Sequence, residues 1–299
     1  MRLTTSLPRE VLLMAMDSVL SHKFRSALTV LGIVVGIITA IVVASLLTGM
    51  RNSIVSIVEE YGSNNIEIYH LSSGFDEPSR DERNRKPLTD ADAEAILAQS
   101  ASVTDLTKVA PNIGSFNGNF NDNLVYEGKN YRWALTDGVE PNYAHLSNLV
   151  LRAGRFITEA DNVQRRNVLV IGVNCAEALF PDHEEDAVGR VVRMNGQTWE
   201  IIGVIEKRKA AFLGENPEDR KVLMPFRTAR KAAPEREELR IIAQTKPGEL
   251  SLAVDDVESI MRKRRGLKVG DADNFDIQTA EESGSLRSRS LVSGCSSEV

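Results

Sequence analysis

Cysteine is scarce: the 299 residues hold two, Cys175 and Cys295. A disulfide framework needs more than one possible bridge, so the fold must rest on its core, and Cys175 reads as a buried free thiol. Histidine is hardly more common, and His22, His70, His145 and His183 are scattered along the chain. The run His183-Glu184-Glu185-Asp186 lacks the second histidine of a zinc-binding helix and reads as a charged loop after Leu179-Phe180-Pro181. "NGNFNDN" at 117–123 has neither the sixth-position glycine nor the twelfth-position glutamate of a calcium loop, and reads as a polar turn. No G-x-x-x-x-G-K-[ST] occurs, so the chain offers no phosphate-cradling loop and is not expected to hydrolyse ATP. No Ser/His/Asp or Cys/His set stands out. Positive charge is in deficit, with a formal net charge of −6, so nucleic acid is not an expected partner. These absences leave no catalytic, cofactor-binding or metal-ligating residue to assign, and no cofactor to expect.

Charge is missing altogether from one stretch. From Ser26 to Met50 there are 25 residues without an acid or a base. That exceeds the ~20 residues that cross a hydrocarbon core of ~30 Å. A cleaved signal has ~7–15 apolar residues behind a short basic start. Here a leader of residues 1–25 precedes the run, and Val42-x-Ala44 is a weak cleavage signal, so a retained spanning helix over 26–50 is expected. Arg2, Arg9, Lys23 and Arg25 precede it, while Arg51 follows it among Glu59, Glu60 and Glu67. The positive-inside rule then puts the N-terminus in the cytoplasm and the remainder outside. In the leader, Leu12, Met16, Val19 and Leu20 recur at helical spacing after Pro8. That pattern suits an amphipathic helix at the cytoplasmic face, or the first turns of the spanning helix itself.

Gly32, Gly36, Ala40, Ala44 and Thr48 fall four residues apart along the apolar run. Small residues at that spacing let a second helix approach closely, which lipid by itself does not drive. Gly32, Gly36, Ala40 and Ala44 are therefore the expected helix-packing positions.

Beyond Met50 the chain is mixed and charged. Ile54, Val55, Ile57, Val58 and Tyr61 continue a helical pattern over 51–61 as a stalk. Gly62 is placed to end it, so Gly62, Ser63 and Asn64 are the expected stalk-domain junction. Ile66-Glu67-Ile68-Tyr69 alternates as a strand. Residues 73–87 mix acids, bases and prolines as a solvated loop. Thr89-x-x-Asp92 is a capping box opening a helix through Ala93, Ile96 and Leu97. Hairpins are expected over 124–133, turning at 127–130, and over 191–201, where Asn195-Gly196 suits a type I′ turn. A strand at 239–242, a helix over 249–265 with Leu252, Val257, Ile260 and Met261 inward, and a strand at 274–279 follow. Arg262-Lys263-Arg264-Arg265 complements that helix's dipole. The pattern gives an α+β domain over 62–280 behind one N-terminal transmembrane helix, with no internal repeat. Residues 281–299, rich in Ser and Arg without periodicity, read as a disordered tail.

The run Arg25-Ser26-Ala27-Leu28-Thr29-Val30-Leu31-Gly32-Ile33-Val34-Val35-Gly36 resembles the first membrane helix of MacB/FtsX-type ABC transporter permeases. Gly62-Ser63-Asn64-Asn65 resembles the family's turn into the first strand. Gly154-Arg155-Phe156 with Asp161, Val168-Leu169-Val170-Ile171-Gly172, Leu179-Phe180-Pro181 and Ile201-Ile202-Gly203-Val204 resemble its MacB-like periplasmic core domain. The resemblance covers residues 8–279. It implies an extracytoplasmic domain between the first two membrane helices, three further membrane helices, and a separate or fused cytoplasmic ATPase. Expected partners are then a separate ABC ATPase subunit, other permease subunits or a second copy as a homodimer, and the lipid bilayer of the inner membrane. No second apolar run follows Thr279, so a truncated, non-enzymatic permease subunit is expected. The alternative is a single-pass membrane-anchored binding or adaptor protein. A third, an envelope enzyme, needs a titratable pocket that the sequence does not advertise.

Overall fold

The computed structural model describes Met14 and residues 23–61, 64–71, 80–111, 122–181, 183–208, 216–234 and 237–279. The expected leader helix, Gly62, Ser63, Cys295 and the tail lie outside these residues, apart from Met14, which is helical. Two compact units divide between Ser53 and Ile54.

The first helix, α1 (Lys23–Tyr61, 39 residues), runs through the division without a break. Its segment Ala27–Gly49 has a mean hydropathy of 2.9 over 23 residues. At about 1.5 Å per residue it is about 35 Å long, enough to cross a bilayer. Apolar side chains are exposed all round it, as a lipid-facing helix requires. The hydroxyls of Thr29, Thr39 and Thr48 donate to the carbonyls of Arg25, Val35 and Ala44 at 2.8–2.9 Å, so these polar groups ask nothing of lipid.

The body begins with β1 (Asn65–Tyr69), a single helical turn α2 (Arg80–Arg83), α3 (Asp90–Gln99) and β2 (Val103–Ala110). Then come β3 (Asp122–Tyr126), β4 (Lys129–Val139), α4 (Tyr143–Leu146), β5 (Leu151–Gly154), α5 (Glu159–Val163), β6 (Val168–Ile171) and α6 (Val173–Leu179). A 3-10 turn at Glu184–Ala187 leads to β7 (Val191–Met194) and β8 (Gln197–Ile205). Another at Pro217–Arg220 leads to β9 (Lys221–Pro225) and α7 (Phe226–Ala232). The chain closes through β10 (Arg240–Thr245), α8 (Leu250–Arg265) and β11 (Asp276–Thr279).

Two lobes result. The first is an antiparallel sheet in the order β11-β1-β10-β2. It is made of two β-α-β units, β1-α3-β2 and β10-α8-β11, interleaved as a split βαβ fold. The second lobe, residues 122–232, is inserted between them. There the pairings β4-β3-β7-β8-β6-β9 return to β4, closing a six-strand ring, with β5 added along β8. Closure removes the exposed sheet edges that invite aggregation. Several strands are buried on both faces. In β6, Leu169 and Ile171 join one core while Val168 and Val170 join the other. That explains a continuous apolar run where alternation would mark a half-exposed strand.

The Thr89 capping box is formed, and the Asn195-Gly196 turn has the two positive φ values, 52° and 80°, of a type I′ hairpin. Other expectations need correction. The first hairpin turns over Glu127-Gly128 alone, φ 46° and 84°, because β4 already begins at Lys129. The solvated stretch 73–87 contains the helical turn α2. His183-Glu184-Glu185-Asp186 is not a loop: it enters the 3-10 turn, where Arg152 reaches Glu184 at 3.0 Å. In α3 and α8 the apolar faces are Ala93 with Ile96, and Ala253 with Val257, Ile260 and Met261. Leu97 and Leu252 are 48% and 60% exposed.

Candidate functional site

The helix-packing positions Gly32, Gly36, Ala40 and Ala44 all lie on α1 at four-residue spacing. A methyl group added at Gly32 or Gly36 would meet no atom within 4 Å, so both sites are open to an approaching helix. Asn64 stands apart from them, in the body. Its carbonyl accepts from the backbone N–H of Thr245 at 2.8 Å and from the Thr245 hydroxyl at 3.0 Å. Thr245 is buried at the end of β10. The next residue, Asn65, donates through Nδ2 to the carbonyl of Leu146 at 2.6 Å. Chain leaving the stalk is therefore tied to the first lobe through β10 and to the second through α4.

The two lobes meet at a buried ionic seam that sequence inspection missed. Arg240 on β10 reaches Asp137 on β4 at 3.6 Å and Glu67 on β1 at 3.8 Å. Lys221 on β9 reaches the same Asp137 oxygen at 3.7 Å, pairs with Glu218, and donates to the Tyr143 hydroxyl at 3.3 Å. The Tyr69 hydroxyl bonds Glu67. Asp137, Glu218 and Lys221 are all under one-tenth exposed. Burial opposes charge on Lys221 and Arg240, but Glu218 and Glu67 respectively lead the surrounding groups that hold both well above their ordinary values. Burial likewise opposes the Glu218 carboxylate, and Lys221 holds it below its usual range. Burial also pushes the Tyr143 hydroxyl up, so it stays protonated as a donor or acceptor. A flanking set extends the seam: Lys108 on β2 pairs with Glu140 at 3.3 Å and with Asp90 at 3.1 Å, and Asn142 donates to Asp105 at 3.2 Å. Beneath it, Val109 and Ile242 from the first lobe share a core with Val139, Leu223 and Ile202 from the second.

Such a network has no obvious catalytic use. Asp137, Glu67, Glu218, Glu140 and Asp90 each face a base, and among the described residues no cluster of His, Cys, Asp or Glu could hold a metal. Two of its ion pairs cross between the lobes, Arg240 with Asp137 and Lys108 with Glu140, while the Lys221 pairs lie within the second lobe and Arg240–Glu67 within the first; β2 also pairs with β4 through Val109↔Val139 and Ala110↔Gly138, so backbone joins the lobes beside the charges.

The motifs quoted above prove structural when placed. Gly154, φ +79°, lies so close to the Ile202 carbonyl that an added Cβ would come within 2.2 Å of it. An added Cβ at Gly203 would meet the Arg155 carbonyl at 2.5 Å. The Arg155 N–H donates to the Ile202 carbonyl at 2.9 Å. Arg155 then reaches Asp161 at 2.6 Å, and Arg166 reaches the other carboxylate oxygen at 3.0 Å. Asp161 also accepts from the Thr158 N–H at 3.0 Å and hydroxyl at 2.7 Å, capping α5. Gly154-Arg155, Asp161 and Gly203 thus describe one place, the end of the antiparallel pairing of β5 with β8, where Gly154 stands opposite Gly203. Cys175 is a buried free thiol, and burial pushes it far above the ordinary thiol range, which makes it inert.

Residues 26–260 match the family described as MacB-like periplasmic core domain. A macrolide export ATP-binding/permease protein MacB from Campylobacter fetus subsp. fetus is 27% identical over 289 residues, covering 95% of this chain and 42% of that protein. The chain spans about two fifths of the length of the curated relatives it matches, from 36% to 42% in three of them. In fold, it resembles the periplasmic region of MacB from Actinobacillus actinomycetemcomitans. The TM-score is 0.58 at 21% identity, over 77% of this chain and 94% of that one. It also resembles the extracellular domain of the noncanonic ABC-type transporter YknZ from Gram-positive bacteria. There the TM-score is 0.53 at 17% identity, over 72% and 100%. With the matched segment reaching from the apolar helix through most of both lobes, this chain belongs to the MacB-like periplasmic core domain family.

Proposed function

We propose that the chain acts as a permease subunit of a MacB-like ABC transporter. α1 crosses the inner membrane once, the residues before it lie in the cytoplasm, and the body stands on the outer side. A separate ABC ATPase subunit hydrolyses ATP in the cytoplasm, and α1 carries the resulting motion outward. Other permease subunits, or a second copy, pack on Gly32, Gly36, Ala40 and Ala44, while lipid covers the rest of the helix. The basic flank of Lys23 and Arg25 supports this orientation. The observation that carries the proposal is continuity: one helix runs from Lys23 to Tyr61, and Asn64, three residues on, is hydrogen-bonded into β10. The ionic seam then lets the body respond as a lever. The relatives' names make macrolides the first substrates to assay.

Two measurements test this. Alkaline phosphatase inserted after Gly248, in an exposed turn, should be active, while a fusion ahead of Arg9 should not. Affinity purification from membranes should retain an ABC ATPase, and Gly36→Leu should release it or lower its hydrolysis rate. Phosphatase activity at the N-terminal fusion alone, or purification with no ATPase, would refute the proposal.

A further inference from the structure

Strand β11 borders the first lobe: among the described residues it pairs with β1 and with no other strand. Between it and α8 runs a groove of about 550 Å³. Val254 and the buried Phe275 contribute apolar lining. Asp255, Glu258, Asp273 and Asp276 line it too, and no lysine or arginine does. Arg262 neutralises Asp273 from beside the groove, so Asp255 and Glu258 set its sign. An open strand edge presents backbone donors and acceptors that take up another strand unless something prevents it. Here a second copy is the wrong occupant: a twofold pairing of β11 with itself would bring one acid-lined groove against another.

We infer that this groove docks an extended basic segment of a partner protein, which adds as a strand along β11. Alternate residues of an extended segment face the same side. Its apolar residues would cover Val254 and Phe275, and its lysines or arginines would meet Asp255 and Glu258. Backbone pairing supplies the affinity in this mode of recognition, and the groove supplies the preference for charge.

The test uses the full chain in detergent micelles and a fluorescein-labelled peptide of alternating arginine and valine, followed by anisotropy. Saturable binding at physiological ionic strength is expected, weakened at least about tenfold by Asp255→Lys combined with Glu258→Gln. A peptide with the same arginines but proline in place of each valine should bind as poorly, because proline cannot complete a ladder. Ser251→Lys, at an exposed lining position, should weaken binding in the same direction and serves if the double variant loses its native Trp199 fluorescence. Absence of saturation, equal binding by the proline peptide, or no loss in the Ser251→Lys variant overturns the inference. So does a wild-type dimer that Asp255→Lys converts to monomer, which makes a second copy the occupant. Binding that appears only after removal of residues 281–299 overturns it as well, since the chain's own C-terminal segment would then be the occupant.

Discussion

Replacing Asp161 with alanine should destabilise the body by about 2 kcal/mol, and the figure can be assembled from its contacts. Asp161 closes the capping box with Thr158 at the start of α5. Losing a cap of this kind costs about 1 kcal/mol. Two ion pairs go with it, but Arg155 and Arg166 are 44% and 45% exposed, so water takes back most of their charge. Together they add about 1 kcal/mol at most. Urea unfolding of the full chain in micelles, read through the buried Trp199, is the assay. With a slope of about 2 kcal/mol per molar, the midpoint should fall by about 1 M. Acid supplies a second arm. Burial opposes the Asp161 carboxylate, yet Arg155 and Thr158 hold it well below the usual carboxylate range. A depressed acid contributes fully above its unfolded value, near 4, and loses that contribution as pH falls through the folded value. The gap between wild type and Asp161→Asn should therefore stay constant from about pH 7 to pH 5 and shrink below about pH 4. A midpoint shift under about 0.25 M, or a gap that widens in acid, would refute this account of the site.

The seam and the β5–β8 pairing give further expectations. Asp137→Leu should cost about 1–3 kcal/mol in the same unfolding assay, because Lys221 and Arg240 each lose one buried partner while keeping Glu218 and Glu67. Hydrogen exchange on that variant should accelerate at β9 and β10 ahead of α8, and uniform acceleration would argue against a seam that joins lobes. Gly203→Ala should destabilise the body by about 1–3 kcal/mol, since its Cβ meets the Arg155 carbonyl at 2.5 Å and backbone must shift. Cys175 should resist thiol reagents in the native chain and react once urea unfolds the body, as counted by mass spectrometry.

Local patterns proved legible and distant ones did not. The apolar run, the Thr89 box and the Asn195-Gly196 turn each specify structure within a few residues, so their chemistry is complete in a short stretch. The split βαβ lobe is different. Its two units lie far apart in sequence, with the second lobe between them, and their sequences share no repeat, because the requirement on each is only an apolar face. The seam is harder still. Asp137 in "WALTDGV" and Lys221 in "RKVLMP" look like single solvent-facing polar residues in apolar strands. Pairing between β4 and β9 brings them to within an ion pair of each other, and β10 adds Arg240. Leu97 and Leu252 mislead in the opposite sense: their helical phase is right, but smaller alanines fill the interface. Of the junction, Asn64 is placed by Thr245, whereas Gly62 and Ser63 fall outside the described residues.

The position of β1 within its sheet carries a mechanical consequence. Chain arriving from α1 feeds a strand flanked on both sides, by β10 and by β11. A pull along its length strains both ladders in shear, so their bonds share the load and fail together. Had the chain fed a border strand and pulled sideways, the bonds would have peeled one at a time. The attachment of β1 is thus stiff against a pull along the strand.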